Sequence, residues 1–211
     1  MNLAWWWDLQ DRINRDFNFD IKREKVAERL LRRFSKKSSS NNLDIAGKNV
    51  VVVGADITSD IILPKDFTIV ADGAVKAFRE RNQVPNVIVS DLDGYPSDIN
   101  WATRNGSSLV IHGHGDNLSR LIEHVPQMNF TTLTSTYPSK SLECWGGFTD
   151  GDRSILMALS LGAKSVSLLG FSFDSIGKYT GISVPQIKKK KLFWAKHIIS
   201  EISKRYNRFH L

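Results

Sequence analysis

Residues Val87-Ile88-Val89-Ser90 run directly into Asp91-Leu92-Asp93-Gly94. Three β-branched residues in a row, without polar alternation, mark a short strand buried on both faces, as parallel strands are. The same grammar repeats on either side. Val50–Val53, Phe67–Ala71, Leu109–Ile111, Asn129–Ser135 and Val166–Leu169 are short runs read as strands, most of them stopping at glycine or a polar residue. Helix-compatible stretches lie between them at Ala74–Asn82, Asn117–His124 and Gly151–Leu161. Alternating β and α predicts a layered α/β fold with a mainly parallel sheet.

Outward from this body the chain changes character. The first 34 residues read as two helices; Val26, Leu30, Leu31 and Phe34 fall on one face of the second. Ser35 to Asn42 carries no apolar residue and reads as a loop. The division expected is a helical appendage and linker over 1–46 and an α/β catalytic domain over 47–211. That domain closes with a helix from Gln186 to Tyr206, striped by Ile187, Leu192, Ala195, Ile198, Ile199 and Ile202.

The formal charge of +7 divides unevenly: +3 over residues 1–46, −4 over 47–174 and +8 over 175–211. The basic excess lies at the ends, so a polyanion-binding core is disfavoured and nucleic acid is not the expected partner. A single cysteine, Cys144, rules out an intrachain disulfide and a Cys-rich zinc site. No apolar run approaches the roughly 20 residues that span a bilayer, and Met1 to Asp8 lacks the pattern of a signal peptide. A cytoplasmic protein with no membrane partner is expected; a homo-oligomer is allowed.

Ligands of open parallel sheets bind beyond the carboxyl ends of the strands. The residues following the strands are Gly54, Asp72-Gly73, Asp91-Leu92-Asp93-Gly94, His112-Gly113-His114-Gly115-Asp116-Asn117 and Gly170. An aspartate at such a place also caps helices and makes turns. Asp72, Asp91, Asp93 and Asp116 from three strand ends, converging on one rim, favour a bound Mg²⁺, a hard cation that takes oxygen ligands. His112 and His114 are expected to face opposite sides, so that only one reaches a substrate. Gly147-Phe148-Thr149-Asp150-Gly151-Asp152-Arg153 opens a helix, with Thr149 or Asp150 as cap, free amides for an anion and Arg153 as a fork for phosphate. Lys188-Lys189-Lys190-Lys191 point around the helix and read as a solvated face, from which one or two could reach a triphosphate or a membrane surface. There is no G-x-G-x-x-G, Walker A or G-x-S-x-G signature.

Four motifs in order, Ala71-Asp72-Gly73-Ala74, Val89-Ser90-Asp91-Leu92-Asp93-Gly94, His112-Gly113-His114-Gly115-Asp116-Asn117 and Gly147–Arg153, resemble the archaeal-type 6-hydroxymethyl-7,8-dihydropterin pyrophosphokinases. Over residues 48–196 the resemblance implies a Rossmann-like fold related to that of thiamine pyrophosphokinases. It implies a diphosphotransferase that uses Mg²⁺ and ATP to modify a pterin alcohol, releasing AMP, in folate-type or tetrahydromethanopterin-type cofactor synthesis. By position, Asp91, Asp93 and Asp116 would be metal ligands with Asp72 as a fourth. Gly54, Asp72, Gly73, His114, Gly115, Asn117, Thr149, Asp150, Gly151 and Asp152 would lie at the nucleotide or pterin. Arg153 would neutralise phosphate, and a carboxylate or His114 would take the alcohol proton. Where members tend to have Gly-Pro-Ser after the first strand, this chain has Gly54-Ala55-Asp56. The rivals are thiamine pyrophosphokinase, an aspartate-nucleophile phosphatase (Tyr95 standing where Thr or Val is usual), an Asp-x-Asp glycosyltransferase and a basic nucleic-acid-binding module.

Overall fold

A computed structural model describes residues 3–58, 60–181 and 184–211. Seven strands form one sheet, parallel throughout, in the order β5-β4-β3-β2-β1-β6-β7. They are β1 (Asn49–Val53), β2 (Phe67–Ala71), β3 (Val87–Ser90), β4 (Ser108–Gly113), β5 (Thr132–Ser135), β6 (Ser165–Leu169) and β7 (Phe209–His210). The helices are α1 (Ala4–Phe17), α2 (Ile21–Arg32), α3 (Val75–Glu80), α4 (Pro96–Arg104), α5 (Leu118–His124), α6 (Asp150–Ser160) and α7 (Pro185–Arg205). The Rossmann-like α/β reading holds, and the sheet is wholly rather than mainly parallel. Among the described residues, no helix is long and apolar enough to cross a membrane.

The two-residue period of the strands divides the interior into two cores. Val50, Val52, Ile69, Val87, Val89 and Val110 face one side, where α1, α6 and α7 bring Trp6, Ile13, Ile155, Leu156, Ile198 and Ile202. Val53, Val70, Ile88, Leu109, Ile111 and Leu133 face the other, under α2 to α5 with Leu31, Phe78, Ile99 and Leu121. The strands are apolar on both faces because both faces are covered.

The N-terminal helices belong to both cores. Trp6 and Ile13 of α1 are fully buried on one face, and Ala27 and Leu31 of α2 on the other. Between them and β1, residues 35–43 form two short 3₁₀ turns rather than an unstructured loop. Ser39 N donates to Thr131 O at 2.9 Å, and Ser38 Oγ accepts from Leu133 N at 2.9 Å. This segment therefore occupies the hydrogen-bonding edge beside β5, which otherwise would be an open strand edge.

Two elements escape sequence patterning. α4 begins on Pro96, which suits a first helical turn but reads as a turn signal. β7 is only two residues long and is recruited by β6, with Val166 N donating to Arg208 O at 2.8 Å.

The chain runs from β1 out to β5, then returns through α6 to β6 on the other side of β1. The strand order thus reverses between β1 and β6, where an open α/β sheet forms a crevice. There Gly54 N donates to Leu169 O at 2.8 Å, and a side chain at Gly54 would strike Gly170 O, 2.6 Å from its Cβ. Only glycine lets these two strand ends approach so closely.

Candidate active site

Three aspartates meet above the middle of the sheet. Asp72 follows β2, Asp91 follows β3, and Asp150 is the first residue of α6, which packs across β1, β2, β3 and β6. One carboxylate oxygen from each lies within 4.8 Å of the others. Local backbone serves this convergence. Asp72 and Leu92 both have positive φ, 35° and 67°. For Leu92 this costs about 1–2 kcal/mol, and its side chain sinks into the α3–α4 core, only 1% exposed, while Asp91 and Asp93 on either side line cavities. Ser90 Oγ donates to Asp72 Oδ1 and accepts Leu92 N at 2.8 Å, tying the two loops together.

Gly94 completes the Asp-x-Asp-Gly turn for a steric reason. A Cβ there would stand 2.8 Å from Asp72 Cγ and closer still to Oδ2. Gly94→Ala is expected to push Asp72 out of the cluster and lower turnover by at least about 100-fold, the cost of a misplaced charged group. Kinetics beside a far-UV spectrum check this; unchanged turnover in a folded variant would remove Asp72 from the machinery.

Burial and mutual repulsion act on these groups in different directions. Asp72 and Asp150 are held well above the ordinary carboxylate value, first by desolvation and then by the charge of Asp91. Asp93 is raised by burial and by Asp91. Asp91 is also penalised by burial, but the hydrogen bond and charge of His114, with Lys191, outweigh the penalty and hold it below that value.

Two cavities adjoin this cluster. The first, about 890 Å³ with its mouth, sits at the β1/β6 crevice. Gly54, Ala55 and Asp56, the start of α6 (Thr149, Asp150, Gly151), Phe171, Phe173, Lys188 and Lys191 line it. The second, about 690 Å³, lies over β4 and is closed by the N-terminal helices through Gln10, Phe19 and Glu24. His112, His114, Asp116, Arg120 and Arg153 share its wall. Asp91, Asp93, Phe148, Asp150 and Lys191 line both cavities, so the two meet at the carboxylates.

The expected site residues distribute as follows. Gly54, Asp72, Gly73, Thr149, Asp150 and Gly151 line the first cavity. His114 and Asp116 line the second; Asp116 is exposed at its wall and stands outside the group of three aspartates, which Asp150 joins. Arg153 is buried and lies on the second cavity alone, donating from Nη1 to Gly146 O at 3.1 Å. Asp152 is turned into the fold, where it closes a capping box: it accepts Phe148 N at 2.6 Å and Thr149 Oγ1 at 2.7 Å. Asn117 is wholly buried and braces two loops, donating to Asp91 O and His112 O at 2.8 Å each and accepting His114 N at 3.0 Å. Gly115 joins α2, its N donating to Glu24 Oε1 at 2.7 Å and its O accepting Arg23 Nε at 2.9 Å.

The histidines correct one expectation. His112 and His114 line the same cavity with rings stacked at 5.6 Å, rather than facing opposite sides. Residues two apart on a strand share a face, so the expectation misapplied the period. His114 Nδ1 accepts Asp116 N at 3.3 Å, which leaves Nε2 to donate to Asp91 Oδ2, also at 3.3 Å. Of the lysine run, Lys188 and Lys191 face the first cavity, whereas Lys190 pairs with Asp16 at 3.0 Å. Sequence reading missed Glu24, because nothing in a charged helix distinguishes the one carboxylate that turns inward.

The family model of the 6-hydroxymethylpterin diphosphokinase MptE-like proteins matches residues 27–177. The chain belongs to this MptE-like family. It is 32% identical to a 6-hydroxymethyl-7,8-dihydropterin pyrophosphokinase of Methanocaldococcus jannaschii, over 95% of each chain. Proteins of the same name from Methanothermobacter thermautotrophicus and Pyrococcus furiosus are 33% and 34% identical, over 83% of this chain and 81% and 80% of theirs. The MptE-like match covers every strand but β7, and all three clustered aspartates. It leaves out α1, the first half of α2 and all of α7, which border the two cavities.

Proposed function

We propose that this protein transfers the diphosphate of ATP to the hydroxymethyl group of 6-hydroxymethyl-7,8-dihydropterin, releasing AMP, in the cytoplasm, as a step in pterin cofactor synthesis. The observation that carries the reading is the junction of two cavities at one carboxylate cluster. A group-transfer enzyme needs its donor and acceptor on either side of the reacting atoms. The first cavity suits the nucleotide. Its glycine ends admit close backbone approach, α6 presents its N-terminus, and Lys188 and Lys191 bring positive charge. The second cavity suits a flat, polar acceptor.

The three clustered aspartates fit Mg²⁺: all donors are oxygen, and three neighbouring carboxylates destabilise each other without a cation. When bound, Mg²⁺ neutralises polyphosphate charge and draws electrons from the phosphorus under attack. Asp72, Asp91 and Asp150 would hold it, while Asp116 stands apart on the wall of the second cavity. His114, as an Nε2–H donor, orients Asp91. Asp93 lines both cavities and its carboxyl is raised above the ordinary value by burial and by Asp91, which suits it to take the alcohol proton as the oxygen attacks the β-phosphorus. Lys191 stands where the phosphate bridge and the departing AMP oxygen need positive charge.

The deciding assay supplies Mg-ATP with the pterin alcohol or with thiamine and identifies the nucleotide product. AMP with the pterin alone is the expected result. AMP with thiamine alone, ADP, or no turnover beside tight salt-sensitive binding of nucleic acid would each overturn the reading.

The raised carboxyls predict how pH acts on the metal-free protein. Asp72 and Asp150 keep protons in the fold above the ordinary value of 3.8, where the unfolded chain has lost them. Their contribution to stability is full below that value and fades as pH rises through their folded pKa values. Asp91 runs the opposite way, stabilising above 3.8 and losing its contribution as pH falls below it. Melts in EDTA should therefore show Tm falling as pH rises above about 4 through this cluster's titration. Mg²⁺, replacing the protons, should raise Tm more at high pH than at low, the stabilisation amounting to about 2.7 kcal/mol at a hundred times Kd. An equal Mg²⁺ effect at all pH values would separate the cation from these carboxyls.

A further inference from the structure

The second cavity contains buried polar atoms that the fold leaves without partners. Glu24 Oε2, His112 Nδ1 and Arg153 Nε are each inaccessible to solvent, and each lacks a hydrogen-bond partner among the described residues. All three residues line this one cavity, with Phe19 and Phe148 beside them. An unpaired buried donor or acceptor costs about 1–3 kcal/mol, so three around one space point to a ligand that pairs with them. His112 is held neutral by burial and by Arg153, and so presents a ring nitrogen without charge.

Glu24 is the one whose chemistry names the ligand edge. Its Oε1 is fixed by Gly115 N at 2.7 Å, and Arg23 Nε holds Gly115 O at 2.9 Å, so the carboxylate is aimed by two bonds to a single loop. Its Oε2 is buried and unpaired, on a side chain that lines the cavity. A fixed carboxylate that offers acceptors only recognises a pair of adjacent N–H donors. The pterin ring has such a pair in its 2-amino group and N3–H, and its 4-oxo group is an acceptor that suits Arg153 Nε–H.

We propose that Glu24, from the helix before the family's shared core, reads the 2-amino-pyrimidinone edge of the acceptor and sets its specificity. The inference rests on the diphosphotransferase reading above. Arg153 then serves the ring of the acceptor rather than the triphosphate, and the hydroxymethyl group is left toward Asp91 and Asp93, where the cavities join.

The test is Glu24→Gln in the full chain. Glutamine retains an oxygen for Gly115 N but presents an amide N–H₂ where Oε2 stood. The KM for the pterin alcohol is expected to rise about 10–100-fold, the worth of a hydrogen bond to a charged group. The KM for ATP and the melting temperature should stay put. An analogue with the 2-amino group replaced by oxo should be discriminated against by wild type, and the variant should narrow that preference at least about tenfold. Unchanged pterin KM together with an unchanged analogue ratio would overturn the assignment. A wild type that makes no AMP with either alcohol defeats the earlier reading instead. Quenching of 6-hydroxymethylpterin fluorescence then judges the pocket directly: loss of binding in Glu24→Gln supports it, and equal binding refutes it.

Discussion

Asp91→Asn is expected to lower kcat/KM by at least about 1,000-fold, some 4 kcal/mol of barrier, while the protein stays folded. Asp91 is where every line of the site crosses. Its carboxylate belongs to the triangle with Asp72 and Asp150, borders both cavities, accepts Asp93 N at 3.0 Å and faces His114 Nε2 at 3.3 Å. An asparagine preserves the volume and can still accept Asp93 N through its oxygen. Its amide then opposes the His114 N–H, donor against donor, and its negative charge is gone. The charge lost is one that His114 and Lys191 stabilise in the fold, so the metal-free variant should melt below wild type at neutral pH yet keep a cooperative transition. Titration with Mg²⁺ should show weakened binding alongside lost turnover. Near-normal AMP release from a folded Asp91→Asn protein would end the case for this cluster as the catalytic centre.

Deleting residues 1–46 is expected to abolish cooperative folding. The deletion removes Trp6, Leu9, Ile13, Ala27, Leu31, Leu43 and Ile45, all buried, from both sides of the sheet. At about 1.5–3 kcal/mol for each large side chain, the loss matches or exceeds the 5–15 kcal/mol that holds a typical domain together. It also bares the edge of β5 and takes away Gln10, Phe19 and Glu24 from the second cavity. Circular dichroism and a melt of the truncated chain check this. A sharp unfolding transition in residues 47–211 alone would show the N-terminal helices to be a separable attachment.

Much of this architecture is legible in the sequence because both-face burial leaves its mark locally. Val50–Val53 and Val87–Ser90 could hardly be anything but interior strands. What is not legible depends on the order of the strands, which no local pattern encodes. Read along the chain, Asp116 is the aspartate expected to join Asp91, and Asp150 reads as a helix cap. The return of the chain through α6 brings Asp150 under the loops of β2 and β3, while Asp116 rides out beyond β4. Likewise Asp152 and Asn117 resemble ligand contacts by motif, yet their side-chain hydrogen bonds are spent on a helix cap and on two loops. Glu24 could be found only once α2 was seen to lie against the loop after β4.

The bonds of α1 also bear on how the chain comes to be folded. Trp5 Nε1 donates to Tyr206 Oη at 3.2 Å, and Asp16 Oδ2 accepts Trp194 Nε1 at 2.6 Å, pairing residues 201 and 178 positions apart. α1 is made well before α7 and must therefore wait for it before it finds its full set of neighbours. Until then its three consecutive tryptophans, Trp5-Trp6-Trp7, have no permanent shelter. Contacts of such long range form slowly and leave nascent apolar surface open to association. The interval between the making of the two helices is when this chain is most open to association.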